Sequence, residues 1–128
     1  EYFSFAIVRN PYDRMFSLYN FLKRRRVIKE TLEEFIKNIG TKEPSQFKLL
    51  NYNGVVPLSF VGKFENLEED FNFIADKINI KERYKNLPKL FKAVNNGNYK
   101  EQINNELKAI IDEKHHDDFI NFNYKKEL

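Results

Sequence analysis

Aromatic and apolar residues crowd the start of the chain from Tyr2 to Val8, and this run of ring-bearing and β-branched side chains reads as a buried strand. The period then changes. Met15, Leu18, Tyr19 and Leu22 recur at helical spacing on one face. Pro11 suits the first helical position, where its missing N–H would have had no intrahelical partner, and Asn10 before it is a good cap. The segment is therefore strand, tight turn and helix. Arg9 stands at the break, where the free N–H groups and dipole of a helix start favour an anion.

Further along, Lys23-Arg24-Arg25-Arg26 closes the first helix, placing cations at its carbonyl end. Thr31-Leu32-Glu33-Glu34 is a capping-box pattern that opens a short helix through Phe35, Ile36 and Ile39, stopped by Gly40. Residues 41–57, with Pro44, Gly54 and Pro57, read as loop. Leu58 to Phe64 is a second strand, and Asn66 with Glu69 caps a helix whose apolar face is Leu67, Phe71, Ile74, Ala75 and Ile78. Residues 81–100 read as irregular around Pro88 and Gly97. One last helix from about Gln102 carries Ile103, Leu107, Ile110, Ile111, Phe119 and Phe122 on a single seam. Two strands with helices between them imply a partial parallel sheet flanked by helices, an α/β architecture. No repeat or linker divides the chain, so residues 1–128 form a single domain.

Composition narrows the function. With 128 residues, 41% of them hydrophobic and 16% aromatic, the chain can bury one core. The absence of cysteine removes thiol chemistry and cysteine metal sites, and it fits a reducing compartment or a chain that needs no disulfides. A net charge of +3 is too mild to imply nucleic acid by itself and suits an anionic cofactor equally well. No apolar stretch approaches the roughly 20 residues of a membrane span, and the expectation is a soluble cytoplasmic protein. The lysine, asparagine and isoleucine content reads as that of a bacterial protein. Because the chain opens on Glu1, has Met15 as its one methionine and enters a strand at once, the expectation is an N-terminally incomplete domain with further strands upstream.

The string Phe5-Ala6-Ile7-Val8-Arg9-Asn10-Pro11-Tyr12-Asp13-Arg14-Met15-Phe16-Ser17-Leu18-Tyr19 resembles the 3′-phosphate-binding segment of sulfotransferases that use 3′-phosphoadenosine 5′-phosphosulfate (PAPS), most closely the carbohydrate and Golgi-type branch with its many bacterial members. The likeness continues in order through Ser45-Gln46, through Phe60-Val61-Gly62-Lys63-Phe64-Glu65-Asn66-Leu67-Glu68-Glu69-Asp70-Phe71, and through Asp118-Phe119 with Phe122 and Tyr124. The resemblance implies a P-loop-NTPase-like α/β fold, PAPS as co-substrate without a metal, and sulfuryl transfer to a hydroxyl or amine of a carbohydrate or similar small acceptor. It also implies that Arg9 and Ser17, matching the family's strand-end arginine and the serine eight residues on, hold the 3′-phosphate. The family's leaving-group lysine and catalytic base lie upstream of this segment, so no catalytic residue is assigned within the chain. A membrane-anchored Golgi-type protein is the alternative location that the resemblance brings. Two departures stand out: Lys63 replaces a usual arginine, and Lys89, Phe91 and Ala93 replace the His, Asn and Ser of a Leu-Pro-His-x-Asn-Lys-Ser loop.

Each candidate also has a plainer reading. Arg9 is either an anion hook or a strand-end residue paired with Asp13, and Ser17 is either a phosphate ligand or a helix serine bonded to its own turn. Arg14 reads as a surface ion pair before a further member of the anion site. Residues 23–26 read as a solvated helix end before an acidic-glycan or nucleic-acid site. His115-His116-Asp117-Asp118 does not read as a metal site, because neighbours on a helix point about 100° apart, and His115 falls on the apolar seam as a packed histidine. Glu65 reads as a cap or as an orienting group for the cofactor loop, and Gln46 has no assigned role. A non-catalytic remnant that binds a nucleotide, or a protein partner through an exposed sheet edge, is the second functional reading, and self-association through that edge belongs with it.

Overall fold

The computed structural model describes residues 2–38, 42–80 and 98–128. Strand β1 (Phe5–Val8) pairs in parallel with β2 (Phe60–Lys63), Phe5 opposite Phe60 and Val8 opposite Lys63. The mixed helix and strand architecture with a parallel sheet follows the α/β expectation. The strands are shorter than the apolar runs that announce them. At the entry of the ladder the hydroxyls of Ser4 and Ser59 accept from each other's backbone N–H, both at 3.1 Å, in place of ladder carbonyls. At the exit Lys63 donates its N–H to Asp70 Oδ2 at 2.7 Å, and the chain turns into a 3-10 turn, Phe64–Asn66.

Helix α1 (Pro11–Arg24) starts where Asn10 Oδ1 accepts from the Tyr12 N–H at 2.9 Å. Past Arg24, Arg26 takes the left-handed conformation that ends it, φ 57°. Its inner face, with Tyr12 and Met15 buried and Leu18, Tyr19 and Leu22 beside them, packs on Phe35 and Ile36 of α2 (Leu32–Lys37), itself capped by Thr31 Oγ1. Ile39, Gly40 and the whole Leu87–Ala93 segment lie outside the described residues.

Three expectations need correction. Within residues 41–57 the chain forms α3 (Gln46–Leu50), capped by Ser45, and then a turn in which Asn53 (φ 54°) and Gly54 (φ 85°) join the bridged pair Tyr52 and Val55. Five residues are too few for a helical period to show, and the helix is held from elsewhere, as described below. Asn66 precedes α4 (Leu67–Lys77) but caps none of its amides; its Nδ2 donates to Asp70 Oδ1 at 3.2 Å, and Glu68, Glu69 and Asp70 supply the negative charge that a helix start favours. Only Ile74 and Ala75 of the expected face are fully buried, while Ile78 is exposed. The tail is three helices rather than one: α5 (Tyr99–Gln102), α6 (Asn105–Lys114) and α7 (His116–Asn121). Asn104 breaks the first joint by accepting from the Leu107 N–H at 2.9 Å, and His115 occupies the second. The apolar seam survives both breaks, because Ile103, Leu107, Ile111 and Phe119 all enter the core around Tyr12 and Phe35.

Candidate functional site

The turn from β1 into α1 is built by residues far apart in sequence. Arg9 donates Nε to Asp13 Oδ2 at 2.5 Å and Nη1 to Ser17 Oγ at 3.2 Å. Its guanidinium lies 4.0 Å from the centre of the Phe64 ring. The plainer reading of Arg9, a pair with Asp13, is what the arrangement contains. The Asp13 pair holds one edge, and Ser17, two turns into the helix, comes to the same guanidinium. Spacing gave no reason for that approach; the side chain of Arg9 folds back along α1 and supplies it. Nη2 has no partner among the described residues, and Ser17 accepts from Arg9, which leaves its own proton to donate. The pair can therefore meet a tetrahedral anion with a charged donor and a neutral one.

Some of the amides at the helix start are already taken. Gln46 Oε1 accepts from the Arg9 N–H at 2.8 Å, Glu65 Oε1 from the Asn10 N–H at 2.5 Å, and Asn10 Oδ1 from the Tyr12 N–H, while Pro11 has none. Beside these occupied amides, the Arg9 guanidinium and the Ser17 hydroxyl stand together on the side of the helix.

Behind the turn stands a second layer. Gln46 Nε2 donates to the Arg9 carbonyl at 2.8 Å and lies 3.3 Å from Asp118 Oδ2. Asp118 is fully buried and accepts the first two amides of α3, from Gln46 at 2.9 Å and from Phe47 at 2.7 Å. Glu65 also accepts from the Tyr124 hydroxyl at 2.8 Å, and that hydroxyl is 3.4 Å from the Val8 carbonyl. Burial first, then the Glu65 carboxylate, raises the Tyr124 phenol well above its ordinary range, so it stays a donor. Glu65 is thus an orienting group for the turn. The roles of Gln46, Asp118 and Tyr124 were not readable from spacing. Their place in an ordered set of matched strings was the only signal.

Neighbouring groups are committed elsewhere. Arg14 donates to the Pro44 carbonyl at 3.0 Å and pairs with Glu43 at 3.3 Å, as its plainer reading had it. Tyr12 gives its hydroxyl to Asp112, which also pairs with Lys108 at 2.7 Å. Lys63 Nζ donates to the Asn123 carbonyl at 3.3 Å beside a cavity of about 150 Å³ lined by Val8, Val61, Phe122 and Asn123, below the roughly 300–1,000 Å³ of ordinary ligand pockets.

The acidic and histidine string of the tail is divided among separate tasks. His115 is packed in the interior with neither ring nitrogen hydrogen-bonded, and burial, reinforced by the charge of Arg14, pushes its pKa down to about 4. His116 Nδ1 lies 2.8 Å from Lys126 Nζ, and Asp118 caps α3. Among the described residues no group of three or more His, Asp or Glu side chains is arranged to hold a metal ion, and no helix is long and apolar enough to cross a membrane.

No curated protein and no solved structure matches the chain. A sequence model described as the sulfotransferase family matches residues 1–125. That span takes in every part of the turn and its supports, from Arg9 and Ser17 through Gln46 and Glu65 to Asp118 and Tyr124, and the chain belongs to the sulfotransferase family.

Proposed function

We propose that this domain binds PAPS and transfers its sulfuryl group to a hydroxyl or amine of a carbohydrate or similar small acceptor, with Arg9 and Ser17 holding the cofactor's 3′-phosphate. The observation that carries this reading is the 3.2 Å approach of Ser17 Oγ to Arg9 Nη1, two donors converging with Nη2 uncommitted. Family membership supports sulfuryl transfer in general and a nucleotide cofactor with it. The P-loop-like form of the fold, the bacterial origin and the carbohydrate acceptor belong to the proposal.

Sulfuryl transfer needs an acceptor in line with the sulfur, a cation at the leaving bridge oxygen and a base for the acceptor proton. Residues 1–128 contain no glycine-rich loop ending in Lys-Ser or Lys-Thr, so Arg9 and Ser17 account for binding and orientation of the 3′-phosphate end alone.

Calorimetric titration with 3′-phosphoadenosine 5′-phosphate beside 5′-AMP tests the assignment. Affinity is expected to depend on the 3′-phosphate and to fall roughly 10- to 100-fold in Arg9→Ala, the span of one charge-assisted hydrogen bond. Equal binding of the two nucleotides, or an unchanged Arg9→Ala, would refute it.

A further inference from the structure

We propose that Gln46 is the positioning residue that aims the Arg9 side chain, with the buried carboxylate of Asp118 as its support. The β1–β2 ladder ends at Val8 opposite Lys63, so Arg9 is the first residue whose backbone has no strand partner. One side-chain amide takes that place. Gln46 Oε1 accepts the Arg9 N–H and Gln46 Nε2 donates to the Arg9 carbonyl, both at 2.8 Å. Fixing both backbone groups of one residue sets its φ and ψ and hence the direction of its Cα–Cβ bond. The orientation of the amide follows from chemistry, since an N–H can only donate and a carbonyl can only accept. Glutamate lacks the donor and asparagine is one carbon short.

Gln46 is itself held at both ends. It opens α3, and Asp118 Oδ2 accepts its backbone N–H at 2.9 Å and lies 3.3 Å from its Nε2, while Oδ1 accepts from Phe47. Gln46 is nine-tenths buried and Asp118 wholly so, and water does not compete for these bonds. The carboxylate thus ties the chain 72 residues away to the turn that carries Arg9, and Gln46 makes its hydrogen bonds to the Arg9 backbone and to Asp118, not to Ser17 or the guanidinium. That separates aiming from binding. The consequence for affinity rests on reading Arg9 and Ser17 as a 3′-phosphate site; the aiming itself does not.

The test measures Arg9 directly. In ¹⁵N NMR of the full chain, Gln46→Met is expected to speed exchange of the Arg9 amide roughly tenfold or more and to move the Arg9 Nε–H resonance toward its solvent-exposed position. In calorimetry the same variant is expected to weaken 3′-phosphoadenosine 5′-phosphate roughly tenfold and to leave 5′-AMP unchanged. A folded Gln46→Met that keeps the wild-type exchange rate and Nε–H shift overturns the proposal. If that variant does not fold, the unmutated chain decides: a scalar coupling across the hydrogen bond from Arg9 N to Gln46 Cδ is expected, and its absence with a fast-exchanging Arg9 amide overturns it. If neither nucleotide binds the wild type, the cofactor reading fails, while the Arg9 exchange and shift still decide the positioning role.

Discussion

Arg9 makes three contacts that no other side chain makes together: Nε to Asp13, Nη1 to Ser17, and a flat face on Phe64. Lysine keeps the charge but has neither the fork nor the plane. Arg9→Lys is therefore expected to lose nearly as much affinity for 3′-phosphoadenosine 5′-phosphate as Arg9→Ala, and near-wild-type binding by calorimetry would count against a guanidinium-specific site. Ser17→Ala removes one neutral donor and is expected to weaken the same ligand by about tenfold or less, since such a bond contributes about 1 kcal/mol. At this scale the sequence was partly legible. Arg9 announced itself by standing between a strand run and Pro11, whereas Ser17 depended on resemblance, because its approach to Arg9 comes from the path of a long side chain that no spacing rule encodes. Gln46 gave no local signal at all.

At the scale of elements, α3 shows how a short helix is made by its surroundings. Five residues cannot offset the cost of nucleation on their own, and here Ser45 caps one amide while Asp118, from the far end of the chain, accepts two more. Asp118→Ala is expected to destabilise the protein by about 2–3 kcal/mol in urea denaturation, because it orphans those amides in the interior. A loss under 0.5 kcal/mol would mean that α3 holds itself. The contact of β2 with α4 depends similarly on Gly62. A Cβ there would lie 2.7 Å from Ile7 Cδ1 and 3.2 Å from Asp70 Cβ. The isoleucine tip can swing aside and Asp70 has to give by a few tenths of an ångström, so Gly62→Ala is expected to cost about 1 kcal/mol, read as a lower denaturation midpoint. The tail makes the converse point. Ile103, Leu107, Ile111 and Phe119 of its apolar seam reach the core, yet the helix is cut at Asn104, whose side chain takes the Leu107 amide, and again at His115, whose ring makes no capping bond.

For the whole molecule, the buried His115 sets an acid limit. Its folded pKa, about 4, lies below the ordinary 6.5, so between those values the unfolded chain binds the extra proton. Stability is then unaffected by His115 above about pH 6.5 and falls as pH drops toward 4, by at most about 1.4 kcal/mol per pH unit. Asp118, 3.8 Å from Nδ1, opposes this shift, while Arg14 and Lys114 reinforce it. Urea titrations at pH 7 and pH 5 on the wild type and His115→Met are expected to show a smaller acid loss in the variant; parallel losses would mean that His115 does not titrate on unfolding. Phe3, Phe5, Phe60 and Phe73 form one aromatic cluster in which Phe5 and Phe73 remain exposed.

By itself the sequence determined the things that depend on neighbours along the chain. These are the strand run into Val8, the Asn10 and Pro11 start of α1, the capping of α2 by Thr31, the apolar stripe that becomes the core, and a net charge suited to an anionic partner. Each rests on a periodicity or a local hydrogen bond, and both are properties of adjacent residues. Tertiary structure alone decided which side chains close the turn around Arg9. Gln46, Glu65, Asp118 and Tyr124 lie 37 to 116 residues from the backbone groups they reach or support at that turn, and such pairings pass through the packing of the whole chain. The same packing occupies the Arg9 and Asn10 amides and sets the Arg9 guanidinium beside the Ser17 hydroxyl on the flank of α1.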